Sequence, residues 1–342
     1  MNRIALVFSI AYLGACTRAQ VDDLDLEEQD AHTEPDSVPV GDFCDPTDPR
    51  TVPVEVVATP EAGEAPYLEA LDSATTSIRV QVYLMGYGGI LDRLKAKAED
   101  GVEVRVILDQ SKVDTNGKYF DQLVAAGAQV QWSDPDFTYT HSKYFIVDDR
   151  VAVMSTGNYS KSFSIDRERN FVAVDRDPAD LEDLSELFEA DWTRSEPVID
   201  CTRLIVSPIN ARQRLVDLIA SAQSTLIIES MQFADKDIRE AVKARKLAGV
   251  DVRVLLADAS WIDANESAVA FLDELAIPVK WIPHLHTKAI VADGARAYVG
   301  SENLSFTSLN KNREVGVIVV EESSIAPIIA TFESDWAAGT PF

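Results

Sequence analysis

Short apolar runs alternate with longer stretches whose apolar positions recur at helical spacing, and the alternation passes through the chain twice. In the first pass, residues 78–84, 102–108, 129–132, 141–147 and 151–154 read as strands, with helices over 88–100 and 119–126. The second pass gives strands over 225–230, 250–256, 279–281, 286–292 and 297–300, with helices over 238–248 and 266–275. Segments 181–192 and 323–336 read as the helix that closes each pass. Runs such as 144–147 show no polar alternation, so both of their faces must be covered. The expected class is α/β, built as two similar mixed α/β-sheet halves.

The repetition is visible residue by residue. GVEVRVILD at 101–109 matches GVDVRVLLA at 249–257, and SATTSIRVQVYLMG at 73–86 aligns with SAQSTLIIESMQFA at 221–234. HSKYFIVD at 141–148 returns as HTKAIVAD at 286–293, in a chain with four histidines. The boundary between halves falls near residues 195–202.

In a strand, residues two apart point to one side. His141 therefore shares a side with Lys143, and His286 with Lys288. An ammonium that pairs with a phosphate oxygen, beside an imidazole that faces phosphorus, suits phosphodiester chemistry. Asp148 and Asp293 fall at the following turns, away from that pair. Each triplet leads to a polar turn, Ser155-Thr156-Gly157-Asn158 and Gly300-Ser301-Glu302-Asn303, and His to Asn spans 17 residues in both halves. Hydroxyl and carboxamide donors beside a lysine form an oxyanion clamp without a metal.

The duplicated His-x-Lys-x4-Asp, each copy followed by a turn ending in Asn, resembles the phospholipase D superfamily over about residues 54–338. The resemblance implies two halves packed about a pseudo-twofold axis with one site between them, so that a monomer suffices. It implies a catalytic set of His141, Lys143, Asp148, His286, Lys288 and Asp293, with no metal and no cofactor. His141 is expected to attack phosphorus and His286 to act as acid, then base. Thr156, Asn158, Ser301 and Asn303 are expected to hold the phosphate. The family often places an acid eleven residues beyond the Asn to orient a histidine. That position is Glu314 in the second half but Arg169 in the first, where Asn170, Glu168 or Asp166 could substitute. The first turn, Ser-Thr-Gly-Asn, also departs from the family's Gly-Ser-x-Asn.

Composition narrows the substrate. Formal net charge is −26, which disfavours a polyanion such as nucleic acid. Residues 1–15 read as a lipoprotein leader, with Leu13-Gly14-Ala15-Cys16 resembling a bacterial lipobox and Cys16 the lipidated residue. Residues 16–43 read as an acidic disordered tether, followed by halves over 44–197 and 198–342. Cys44 and Cys201 read as a disulfide in an exported chain. The expected location is the cell envelope, anchored by lipid, on an outer membrane facing the periplasm or the cell surface. His284, two residues before His286, reads as lining the mouth of the site. Lys236, Arg239, Lys243, Arg245 and Lys246 read as a solvated helix face. Together these features point to a phospholipid-hydrolysing phosphodiesterase working through a phosphohistidine. The alternatives are a nuclease with the same histidines, a phosphatidyltransferase, and a silent binding protein.

Overall fold

The computed structural model describes residues 45–342 apart from 87, 161–164 and 200. The expected leader, Cys16, the tether and Cys44 lie outside the described residues. Cys201 is disulfide-bonded.

The first half runs β1 (Glu55–Thr59), α1 (Ala65–Asp72), β2 (Ser77–Val82), α2 (Gly88–Glu99), β3 (Glu103–Leu108), α3 (Val113–Ala125), β4 (Gln129–Trp132), β5 (Lys143–Val147), β6 (Val151–Ser155), β7 (Asn170–Asp175) and α4 (Pro178–Thr193). The second half runs β8 (Leu204–Ser207), α5 (Ala211–Ser221), β9 (Thr225–Ser230), α6 (Lys236–Leu247), β10 (Asp251–Ala257), α7 (Ala264–Glu274), β11 (Val279–Ile282), β12 (Lys288–Ala292), β13 (Arg296–Gly300), α8 (Phe306–Asn310), β14 (Glu314–Val319), α9 (Glu322–Ala338) and β15 (Thr340–Pro341). The hydrophobic pattern anticipated the central strands and the closing helices. It missed β1, α1, β7 and their counterparts β8, α5 and β14, which flank each half.

The sheets have one topology. The first is ordered β1-β7-β6-β5-β2-β3-β4, and the second β8-β14-β13-β12-β9-β10-β11 with β15 added at its edge. In each, the βα units supply a parallel trio, and the His-Lys strand joins it antiparallel. β5 shows why the apolar run is continuous. Phe145 and Val147 pack into the first half's own cluster, with Leu71, Leu94 and Leu123. Tyr144 and Ile146 pack into a central cluster with Leu184 and Phe188 of α4, Val291 of β12, and Ile328 and Phe332 of α9. That central cluster joins the two halves into one body, with the outer helices covering the far faces.

No helix among the described residues is long and apolar enough to cross a membrane. Two of the basic residues of α6 act locally: Arg239 Nη2 donates to Phe233 O at 2.8 Å, and Lys243 pairs with Glu240 at 3.3 Å.

Candidate active site

The two histidines sit where the chain enters β5 and β12, and each is pinned by backbone from the opposite half. The N–H groups of His141 and Ser142 both donate to Arg313 O, at 2.9 and 3.0 Å. His286 N–H donates to Arg169 O at 3.0 Å, and Arg169 N–H returns a bond to His284 O at 3.0 Å. His284 itself is exposed, with φ of 59°.

Side chains repeat the exchange. His141 Nδ1 meets Glu314 Oε2 at 2.8 Å. His286 Nδ1 meets Asn170 Oδ1 at 3.0 Å. With Nδ1 committed in both rings, chemistry at each ring runs through Nε2. Burial would raise Glu314, but the charges of His141 and Lys143 and bonds from His141 and Asn312 hold it below the ordinary carboxylate value. Ser308 Oγ and Asn312 Nδ2 fill its other oxygen, at 2.5 and 2.9 Å. Asn170 is oriented by the hydroxyl of Thr156, which accepts from Phe171 N–H at 3.0 Å and donates to Asn170 Oδ1 at 2.9 Å.

Lys143 and Lys288 are almost fully buried. Each ammonium donates to the carbonyl of the histidine two residues before it. Lys288 Nζ also reaches Thr156 O, in the other half, at 3.2 Å. The buried carboxyls of Glu168, Glu302 and Glu314 act on this pair of lysines, and a bound phosphate would add negative charge beside them. Burial, then the charges of Lys288, Lys143 and His141, push His286 well below the ordinary imidazole value. Groups from both halves thus act on one ring. Asn158 and Asn303 are buried, and each leaves Oδ1 without a partner among the described residues. Tyr83 stands edge-on to His141 at 4.6 Å between ring centroids, and Trp261 lies 6.4 Å from the His286 ring. Asp109 braces the approach to His141 by accepting Thr140 N–H at 2.6 Å.

Several expectations change. Asp148 lies at a turn away from the site, where its spacing put it and outside the catalytic role that the resemblance implied: its carboxylate accepts from the backbone and hydroxyls of Thr75 and Thr76 and from Ser77 N–H. Asp293 does the same for Gln223, Ser224 and Thr225. Seven residues of extended chain carry each Asp roughly 20 Å from its histidine. Both sit in the left-handed region, at φ of 52° and 54°, and fasten a hairpin turn to the start of β2 or β9. Thr156 and Ser301 turn their hydroxyls to protein, Ser301 Oγ accepting Val315 N–H at 3.1 Å. They set the neighbouring strand.

Arg169 is not the counterpart of Glu314. Thr156 N–H bonds Phe171 O and Ser301 N–H bonds Val315 O, so the strands align Asn170 with Glu314 and Arg169 with Arg313. The two arginines are cross-braces. Arg313 Nε binds Asp191 of α4 at 3.0 Å, and Arg169 Nε binds Asp335 of α9 at 2.6 Å. Asn170, one of the substitutes the sequence offered, takes the place; the count from the asparagine fell on Arg169 because the first turn is followed by one extra residue. The shared Arg-x-apolar pattern of Arg169-Asn170-Phe171 and Arg313-Glu314-Val315 was the available signal.

A groove beside α4, lined by Arg79, Asp149, Asp183 and Glu186, contains none of the histidine-site residues.

Comparison with known proteins agrees with this geometry. The family described as "Cardiolipin synthase, PLD-like domain" matches residues 67–192 and again 215–336. A cardiolipin synthase of Clostridium perfringens is 26% identical over 283 residues, 68% of this chain and 59% of that protein. A cardiolipin synthase A of Pseudomonas aeruginosa is 25% identical over 335 residues, 84% of this chain and 68% of that one. The chain thus spans about three fifths of the Clostridium relative. Among solved structures, phosphatidylserine synthase of Haemophilus influenzae shares the fold with a TM-score of 0.67 at 13% identity, covering 84% of this chain and 87% of that one. Polyphosphate kinase of Porphyromonas gingivalis shares it with a TM-score of 0.65 at 16% identity, covering 82% and 46%. With its duplicated domain, its paired sheets and a histidine-lysine set from each half, the chain belongs to the phospholipase D superfamily.

Proposed function

We propose that this protein transfers a phosphatidyl group from a phospholipid to an alcohol, in two displacements at phosphorus. The observation that carries the reading is the unlike pairing of the two histidines, His141 with a carboxylate and His286 with an amide. A nucleophilic imidazole becomes cationic when it takes the phosphoryl group, and Glu314 supplies a permanent counter-charge at His141. An acid works by losing charge, and a neutral amide directly on Nδ1, with the Glu168 carboxyl held back at 3.8 Å, leaves His286⁺ the stronger acid.

His141 Nε2 forms the bond to phosphorus as the bond to the departing head-group oxygen breaks. His286 gives that oxygen its proton. The acceptor alcohol then gives a proton to His286 and attacks phosphorus, and the bond to His141 breaks. Lys143, Lys288, Asn158 and Asn303 hold the phosphate oxygens, and substrate charge helps protonate His286.

Hydrolysis was the leading expectation from sequence, with transfer an alternative. The similarity to cardiolipin synthases favours transfer. A lipidated Cys16 and a Cys44–Cys201 disulfide would tether the body of an exported enzyme beside its substrate.

The test is the full chain with mixed phospholipid vesicles and glycerol. New glycerol-containing phospholipid, absent in His141→Ala and His286→Ala, supports the reading. Phosphatidic acid alone would replace transfer by hydrolysis, and plasmid nicking without lipid turnover would replace both. With a p-nitrophenyl leaving group, which needs no proton, His286→Ala should accumulate a covalent adduct at His141. An adduct at neither histidine would sink the mechanism.

A further inference from the structure

The segments leading into β7 and β14 carry the same three residue types in opposite order. The strand register makes Glu168-Arg169-Asn170 the counterpart of Asn312-Arg313-Glu314. The central arginine braces the opposite half in both. Around it, amide and carboxylate have exchanged places. In the second half the carboxylate touches the histidine and the amide stands behind, Asn312 Nδ2 donating to Glu314 Oε1 at 2.9 Å. In the first half the amide touches the histidine and the carboxylate stands behind. Asn170 Nδ2 faces Glu168 Oε2 at 3.5 Å, and that oxygen lies 3.8 Å from His286 Nδ1. Glu168 is 1% exposed, so its charge is poorly screened. Arg169 does not neutralise it, because its guanidinium turns to Asp335 and Glu61.

We propose that Glu168 is a positioning residue, a displaced counterpart of Glu314, that acts on His286 through Asn170 and sets the pH range in which His286 holds its proton. The groups facing this pair come from several elements. Lys288 at the start of β12, Lys143 at the start of β5 and Asn170 of β7 all act on Glu168. Lys288, Lys143 and His141 act on His286. Thr59 Oγ1, at the end of β1, bonds the main-chain oxygen of Glu168 at 3.4 Å.

Burial carries the Glu168 carboxyl up to about 7, against the pull of Lys288, Asn170 and Lys143. Above that pH its negative charge offsets the lysines and favours the imidazolium of His286. Below it the carboxyl is neutral and the help is withdrawn. The kinetic consequence rests on the phosphohistidine reading, but proton binding at His286 is measurable without substrate.

The chain has four histidines, His32, His141, His284 and His286, so imidazole NMR titration of the full chain can follow each one. His286→Asn identifies the resonance. With inorganic phosphate bound, which offsets Lys143 and Lys288 and moves His286 into the range where Glu168 is charged, Glu168→Gln should lower the His286 titration by about half a pH unit or more. The exchange variant Glu168→Asn/Asn170→Glu, which restores the order of the second half, should raise it. The alkaline limb of the transfer rate should move the same way in each. Should native His286 stay neutral at every pH the fold tolerates, the exchange variant must bring its titration into view. Unchanged titration in folded Glu168→Gln, or a downward shift in the exchange variant, would overturn the proposal. Titration shifts without lipid turnover would count against the transferase reading and leave Glu168 in its role.

Discussion

Arg313 Nε and Asp191 Oδ1 meet at 3.0 Å and tie the second half to α4 of the first, one residue before the glutamate that holds His141. Both side chains are buried, and the Phe137 ring covers the guanidinium at 4.3 Å. Removing one partner strands the other charge in the interface, at about 3–5 kcal/mol. Arg313→Met should therefore lower stability by that order in urea denaturation. Turnover should fall as well, by roughly tenfold or more, because Glu314 loses its anchor. A variant that unfolds earlier but turns over normally would uncouple the brace from the histidine.

Asp148 and Asp293 should behave as structural residues. Asp148 has five hydrogen bonds at the start of β2. Asp148→Asn and Asp293→Asn are each expected to cost about 1–3 kcal/mol, the range for bonds to a charged group. Turnover per folded molecule should stay within a few-fold of the parent. A loss comparable with His141→Ala, in protein that is still folded, would return these aspartates to the chemistry.

Gly157 gives a sharper handle on the second histidine. A Cβ at this position would lie 2.6 Å from Asn170 Cγ. Gly157→Ala should push the amide off His286 and reduce turnover by about one to two orders of magnitude, the scale of a misplaced catalytic group. The NMR titration of His286 should change with it, and that of His141 should not.

Glu302 makes stability depend on pH. It is fully buried, with Oε2 bonded to Tyr298 at 2.5 Å and Oε1 without a partner among the described residues. Burial and then the nearby Glu314 raise its carboxyl to about 8, against the Tyr298 bond. The unfolded chain releases this proton near the ordinary value of 4.5, while the folded chain keeps it to about 8. The folded state thus holds the extra proton between those values, and stability declines as pH rises across that window. Glu302→Gln cannot ionise. Its Tm relative to the parent should rise steadily from pH 5 to pH 8, and a difference that stays flat would mean Glu302 ionises normally in the fold.

Much of this protein is written locally. The alternation of apolar runs and helical spacing gave the α/β class, because strand and helix periodicity depend only on neighbours along the chain. The two His-x-Lys steps put His141 beside Lys143 and His286 beside Lys288, because strand geometry fixes that pairing wherever the strand lies. The positions of Asp148 and Asp293 at turns followed from the same spacing. What the chain order could not express is which half serves which histidine. Glu314 is 173 residues from His141, and Asn170 is 116 residues from His286. Those contacts arise only when the central core brings the strand ends of two sheets together. The register of β6 with β7 then decides that Asn170, and not Arg169, faces the imidazole. One extra residue in a loop shifts a count made along the sequence, while the hydrogen bonds between strands absorb it and keep the alignment.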